Sequence, residues 1–254
     1  MIDRLARRLG RVDTRDLVVW GTLLVLLANT PRTPDAVPLL LVLFLATVAP
    51  LPIATRFRRS PWPWLALAIG WFPFLLEDWW RHEDHELLGL EHCVALALVL
   101  TASRPRAALR LYARAMIVAI FVCALAWKLS APSFLTGETF AWAVAHDPRF
   151  ADVVAILGQD AIGALAAFMT AWTIATEGAL LATHAAPDRW SLARLREPAL
   201  VIFVASVYTL IPILGFGGLF LVLGIAITRS PRWRLAMVAL GAWLALRLAV
   251  GLVW

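Results

Sequence analysis

Lys128 is the residue of this chain whose type most strongly suggests a chemical role. One lysine and 22 arginines make up the 23 basic residues of the 254-residue sequence. An arginine stays charged at physiological pH, whereas a buried lysine can lose its proton and then act as a base or a nucleophile. A lysine at the end of an apolar helix can instead reach the membrane interface, here beside Trp127. Lys128 is therefore either a candidate base or an anchor.

Histidines and carboxylates are concentrated in residues 77–92, the most polar part of the chain. The candidate metal ligands among them are His82, His85, Glu86 and His92. His85 and His92 share a helical face because they are seven residues apart, but the spacing of the set matches no zinc-enzyme motif, so no metal site is predicted. Residues 81–86 are best explained as a solvated rim. Glu91 and His92 lie a turn inside a predicted span and either line a site or hold helices together.

Glu177 and Tyr208 are the polar side chains that fall well inside later apolar segments. A carboxylate is costly in contact with lipid, so Glu177 should face the interior of a helix bundle. A structural pairing with an arginine such as Arg114 and a proton-handling role are equally compatible with its position. Tyr208 is more typical of packing than of catalysis. The sequence contains no serine or cysteine nucleophile with its base and no phosphate-binding glycine loop.

The composition predicts an all-α, polytopic integral membrane protein. Hydrophobic residues make up 61% of the chain, charged residues 16%, and the mean hydropathy is +0.79. The apolar residues form long runs, as in transmembrane helices, rather than the short alternating segments of a β-barrel. The net charge of +6 does not indicate a nucleic-acid partner, because the arginines lie in short clusters between apolar runs. Cys93 and Cys123 do not form a disulfide framework.

The arginine clusters predict one membrane topology. The predicted spans are 17–28, 37–55, 62–76, 87–101, 111–129, 161–182, a compact hairpin or pair of half-buried helices at 198–228, and 235–253. This gives a single domain of about eight or nine transmembrane helices, with Pro73 kinking or ending the third. The intervening arginine clusters lie inside by the positive-inside rule, so residues 1–16 are cytoplasmic and the loop 130–160 is extracytoplasmic. Lys128 then shares a membrane face with the 77–92 cluster. The composition suggests a bacterial inner membrane.

A resemblance to a known family begins at Lys128. The sequence Ala-Leu-Ala-Trp-Lys-Leu at 124–129, followed by Phe134 and Gly137, resembles a motif of the vitamin K-dependent γ-carboxylase family. In that family an alanine-rich helix ends in Lys-Leu before a short polar link, an aromatic residue and a glycine. The membrane part is called the horizontally transferred transmembrane domain. The resemblance covers roughly residues 60–225.

Two further segments resemble that family. Trp80, Asp84-His85 and the Leu/Gly run after them are similar to its Trp-Asn-Asn-His segment, and Glu177 stands where relatives carry an acidic residue. The resemblance implies that Lys128 is the base acting on a reduced quinone, with His85 beside it. The sequence departs from the family pattern in three ways. Asp84 stands in place of asparagine, Tyr208 stands in place of a histidine common in relatives, and these 254 residues include no large extracytoplasmic domain. Glutamate carboxylation is therefore not expected.

Two functions remain open from the sequence. In the first, an outward-facing cavity lined by Lys128, His85, His92 and Glu91 binds a quinone-like or other lipophilic ligand, and Glu177, Tyr208 and Trp127 are further candidates for its lining. In the second, the chain is a non-enzymatic membrane subunit or a maturation partner for a secreted peptide or another membrane protein. A third function, transport, has weaker support, because only Gly215–Gly218 indicates a discontinuous helix and no inverted repeat is visible.

Overall fold

The computed structural model describes residues 2–29, 37–48, 50–77, 84–146, 150, 154–156, 158–210 and 214–249. Throughout these residues the regular structure is helical, which confirms the all-α prediction. The helices include Ile2–Arg11 (α1), Thr14–Asn29 (α2), Val37–Val48 (α3), Pro50–Arg59 (α4), Trp62–Glu77 (α5), Asp84–Val99 (α6), Pro105–Ser130 (α7), Pro132–Leu135 (α8), Glu138–His146 (α9), Ile162–Ala185 (α10), Arg196–Leu210 (α11), Leu214–Ile227 (α12) and Pro231–Ala249 (α13).

Several boundaries differ from the sequence predictions. The span predicted at 37–55 covers α3, which is described to Val48, and the start of α4, which is described from Pro50, a residue favoured in the first helical turn. Pro73 does not end α5, which continues to Glu77. The pair of helices predicted within 198–228 is confirmed as α11 and α12, although α12 is almost fully buried rather than half-buried. The predicted loop 130–160 contains α8 and α9.

The chain forms two compact units, Met1–Ala115 with Val204–Val253 and Met116–Phe203. In the first unit α12 is the central helix, packed against α2, α6 and α13. Glycines bring α2 and α12 close together. A Cβ atom at Gly21 would lie 2.8 Å from Val222 Cγ2, and one at Gly218 would lie 2.7 Å from Val25 Cγ2. These two contacts run in opposite chain directions, so the helices are antiparallel, and the small residues permit the close backbone approach common between membrane helices.

An ion-pair network surrounds the start of α2 in the same unit. Asp13 Oδ1 accepts a hydrogen bond from the backbone N–H of Arg15, as an N-cap residue does. Its carboxylate also pairs with the side chains of Arg15, Arg58 and Arg106. Partial burial alone would raise the pKa of Asp13, but the hydrogen bonds from Arg15 and Arg106 outweigh it and hold the pKa well below its ordinary value. Three separate stretches of the chain are thus tied together at Asp13.

In the second unit α9 packs along α10, and the 3-10 turn Ser191–Leu195 packs against the same helix. The buried side chain of Arg196 caps the C-terminal end of α10. Its Nε donates to the carbonyl oxygen of Thr183 at 3.0 Å, its Nη2 donates to the carbonyl oxygen of Ala186, and its Nη1 pairs with Asp188 at 2.6 Å. The guanidinium therefore satisfies carbonyl groups that a helix end leaves without intrahelical partners.

Two helices, α7 and α10, are long and apolar enough to cross a membrane by length and composition. Only 28% and 33% of their most apolar windows are buried inside the protein. A core helix of a soluble protein would be mostly buried. Shorter apolar stretches occur at Trp62–Phe72, Leu88–Val99 and Phe216–Ile227.

Candidate functional site

Lys128 and Glu177 form a close ion pair in the second unit. Lys128 lies near the end of α7, and Glu177 lies in the second half of α10. Lysine Nζ donates to glutamate Oε1 at 2.6 Å, and the two side chains are 16% and 7% exposed. Two charges buried in this way have lost most of their hydration. Removing either side chain would therefore leave the other as an uncompensated buried charge.

The second carboxylate oxygen of Glu177 is buried and has no hydrogen-bond partner among the described residues. An ionised carboxylate can accept about four hydrogen bonds. Leaving a buried acceptor unsatisfied costs about 1–3 kcal/mol and more when it is charged. Oε2 is therefore a buried acceptor with unused hydrogen-bonding capacity, next to the oxygen that accepts from Lys128.

Aromatic side chains line the lysine side of this pair. Lys128 Nζ lies 5.7 Å from the ring centroid of Phe134, within the range of a cation–π interaction. The buried Phe134 ring in turn contacts Trp127 and Phe140, with centroids 6.2 Å and 5.4 Å away. The Lys128 amine thus has a carboxylate on one side and an apolar ring on another.

Gly137 sets the position of Phe134. It follows α8 with φ of +82°, a conformation that favours glycine, and its N–H donates to the Phe134 carbonyl oxygen at 3.1 Å. A Cβ atom here would lie 3.6–3.7 Å from the backbone of Ala166 and Ala167 in α10. The aromatic residue and the glycine singled out in the sequence thus belong to one turn that packs next to Lys128.

His92 lies in the first unit and has a complete set of hydrogen bonds. The Thr22 hydroxyl donates to the Val18 carbonyl oxygen at 2.8 Å, so it can accept from His92 Nε2, 3.0 Å away. A neutral His92 then carries its proton on Nε2, and Nδ1 accepts from the Tyr112 hydroxyl at 2.7 Å. This arrangement favours the structural interpretation, in which His92 holds α2, α6 and α7 together.

Of the remaining predicted site residues, Trp127 contacts Phe134 beside Lys128, whereas Glu91 and Tyr208 belong to the first unit. Glu91 is exposed, unlike its neighbour His92. Tyr208 is buried against Phe216 and Phe220, and a Cβ atom at Gly217 would meet its ring at 2.9 Å. Trp127 is 60% exposed. The side chain of His85 lies outside the described residues, so its place beside Lys128 stays a prediction.

The pairing of Lys128 with Glu177 was not predicted, since Arg114 was the partner considered for Glu177. The signal was present in the sequence, because intramembrane charges tend to pair with one another and these are two of the few charges inside apolar segments. Thr22 and Tyr112 were also missed as partners of His92. In the part of the chain that the structure describes, no three His, Cys, Asp or Glu side chains are grouped to hold a metal ion.

Comparison with protein-family models, with curated proteins and with solved structures finds no match to this chain. The chemistry open to this protein is therefore inferred from its own geometry, above all from the Lys128–Glu177 pair.

Proposed function

We propose that this chain is a multi-pass membrane protein in which the Lys128–Glu177 pair binds a reduced quinone or a similar lipophilic hydroxyl compound and moves its proton. The observation that carries the proposal is the sole lysine of the chain, 2.6 Å from a buried carboxylate whose second oxygen has no partner among the described residues. A purely structural charge could be supplied by arginine, which the sequence uses everywhere else.

Exposed apolar surface supports the membrane placement. In α3 the large apolar residues Val37, Leu41, Val42, Phe44 and Leu45 are 54–57% exposed. A soluble protein rarely exposes such a contiguous apolar surface, whereas lipid contact requires one. The meeting of Arg15, Arg58 and Arg106 at Asp13 supports a common cytoplasmic side for their clusters. Eight or nine crossings in a bacterial inner membrane, with the N-terminus inside, complete this part of the proposal.

The side chains present fit a ligand with a hydroxyl on an aromatic ring. Glu177 Oε2 accepts a hydrogen bond from that hydroxyl, and the buried Phe134 ring provides an apolar wall next to Lys128. Lys128 passes a proton to Glu177 across the 2.6 Å hydrogen bond. Its neutral amine then replaces Oε2 as the acceptor of the ligand hydroxyl, takes that proton and leaves an oxyanion, so that Glu177 ends as a neutral acid and Lys128 as an ammonium. A bound reduced quinone would supply the acidic hydroxyl and the electrons for any later oxidation.

The resemblance to the γ-carboxylase membrane domain supports the same assignment. In that family the lysine of the Lys-Leu motif acts as the base, and Lys128 occupies this position in the sequence. Glutamate carboxylation itself is not part of the proposal.

A second candidate function is a non-enzymatic membrane subunit or a maturation partner for a secreted peptide or another membrane protein. The exposed tryptophans of the second unit favour it, since Trp127, Trp142 and Trp190 are 60%, 67% and 54% exposed. Aromatic residues are enriched in protein interfaces. In this case Lys128 only holds α7 to α10, and arginine should replace it without effect.

Mass spectrometry of co-purifying lipids tests the two candidates. The wild-type protein is expected to retain quinone after purification, and the Lys128→Arg and Glu177→Gln variants to retain at least about tenfold less, because arginine cannot give up its proton and so cannot take one from the ligand, and glutamine offers the ligand no charged acceptor. Arg232→Gln, which removes an exposed ion pair with Asp3, is the control and should match the wild type. Quinone retention by Lys128→Arg contradicts the base role. A stoichiometric protein partner without quinone supports the second candidate.

A further inference from the structure

A groove at the junction of α4 and α5, in the first unit, has a charged end and an apolar end. Its volume is about 600 Å³, and its lining residues are Thr55, Arg56, Arg59, Ser60, Trp62, Pro63 and Ala66. The cationic and hydroxyl side chains come from the end of α4 and the turn after it, and the apolar side chains come from the start of α5. Among the described residues, no acidic side chain lines it.

The three arginines of this turn divide into two roles. Arg58 is neutralised, because its Nη1 lies 2.9 Å from both carboxylate oxygens of Asp16 and 3.4 Å from Asp13. Arg56 and Arg59 are exposed, line the groove and form no ion pair with a described residue. The groove therefore carries two positive charges that no described carboxylate balances.

The apolar part of the groove extends along the first turns of α5. Trp62 is 72% exposed, and Ala66 lies one turn further on the same helical face. Tryptophan beside arginine is typical of the membrane–water boundary, where the indole sits at headgroup level and the guanidinium faces phosphate.

We propose that this groove binds one anionic phospholipid, with its phosphate against Arg56, Arg59 and Ser60 and the start of an acyl chain along Trp62, Pro63 and Ala66. Charge complementarity selects the anionic headgroup, since basic residues next to a membrane attract anionic lipids. The apolar walls select a lipid over a free phosphate ion. The proposal depends on the membrane placement but not on the chemistry of Lys128.

Native mass spectrometry of the full chain in a neutral detergent tests this site. The probes are dioleoylphosphatidylglycerol and dioleoylphosphatidylcholine, which differ in headgroup charge. The wild type is expected to bind one phosphatidylglycerol in preference to phosphatidylcholine. The double variant Arg56→Gln with Arg59→Gln should bind phosphatidylglycerol about thirtyfold more weakly, because two charged contacts are lost.

Two further variants distinguish binding in this groove from a general attraction of the positively charged protein for anionic lipid. Arg7→Gln with Arg8→Gln removes the same charge from exposed positions of α1 and should bind phosphatidylglycerol as the wild type does. Ala66→Trp fills the groove without changing its charge and should weaken binding. Circular dichroism and unfolding midpoints check that each variant is folded.

Three results would overturn the lipid site. The first is equal binding of the two lipids by the wild type. The second is an equal loss in the Arg7 and Arg8 control. The third is full displacement of phosphatidylglycerol by inorganic phosphate or by an acidic peptide. That result would show that Arg56 and Arg59 bind a different anion.

Discussion

Lys128→Met and Glu177→Met are each expected to lower the free energy of unfolding by about 3 kcal/mol, because each leaves one buried charge without its partner. The double variant should recover to within about 1 kcal/mol of the wild type, since two apolar side chains of similar size tolerate this environment. Denaturant titration in detergent micelles, followed by tryptophan fluorescence, measures all four states of this double-mutant cycle.

The exposed pair of Arg232 and Asp3 provides the matched control for the cycle. Their side chains are 79% and 62% exposed at an N–O distance of 3.3 Å, so their coupling energy should be below about 1 kcal/mol. If the coupling between Lys128 and Glu177 is no larger than this, the two side chains do not form a buried pair, and the site loses its structural basis.

Gly218→Ala is expected to destabilise the first unit by about 2 kcal/mol, the usual cost of overpacking. Its Cβ atom would lie 2.7 Å from Val25 Cγ2, and a valine in a helix has essentially one χ1 rotamer and cannot turn away. This loss should appear even though alanine favours a helix over glycine by about 1 kcal/mol. The same unfolding measurement reports it.

Two variants show whether the loss comes from the contact between α2 and α12. Val25→Ala in the Gly218→Ala background should restore most of the stability, because it removes the atom that clashes. Gly163→Ala in α10, where a Cβ atom would meet nothing within 4 Å, should be neutral or slightly stabilising. Equal stability of Gly218→Ala and Gly163→Ala would show that α2 and α12 do not approach this closely.

Residue type and position within apolar segments identified candidate site residues in the sequence, but not the residues that these side chains would contact. Lys128 was recognisable by its type, and Glu177 by its position within an apolar segment. Their scarcity as charges inside apolar segments suggested a pairing but did not specify it, because 49 residues separate them and hydropathy does not encode which faces of α7 and α10 meet. Likewise His92 was recognisable as a polar residue inside a span, but its partner Thr22 lies 70 residues away.

The helix boundaries and the contacts of the glycines likewise could not be predicted in full from local sequence patterns. Apolar runs located most helices, but the end of a run does not mark the end of a helix, since α4 continues to Arg59, beyond the run 37–55. Gly215–Gly218 suggested only an interruption. In the structure Gly218 lies against Val25 and Gly217 against the Tyr208 ring, which are tertiary contacts that no local pattern specifies.

The most direct test of the Lys128 site uses the fact that the chain has a single lysine. Lysine labelled with ¹³C at Cε gives one side-chain NMR signal, and menadiol, added without oxygen to the protein in detergent micelles, serves as the reduced quinone. Because Lys128 holds the proton at the end of the proposed step, we expect saturating menadiol to be bound to the wild type as its anion, seen by its ultraviolet absorption, while the lysine signal lies at the ammonium position. The Glu177→Gln variant should leave menadiol un-ionised. Bound menadiol that stays un-ionised on the wild type, or a lysine signal at the neutral-amine position while menadiol is ionised, would contradict the proposal that Lys128 takes a proton from such a ligand.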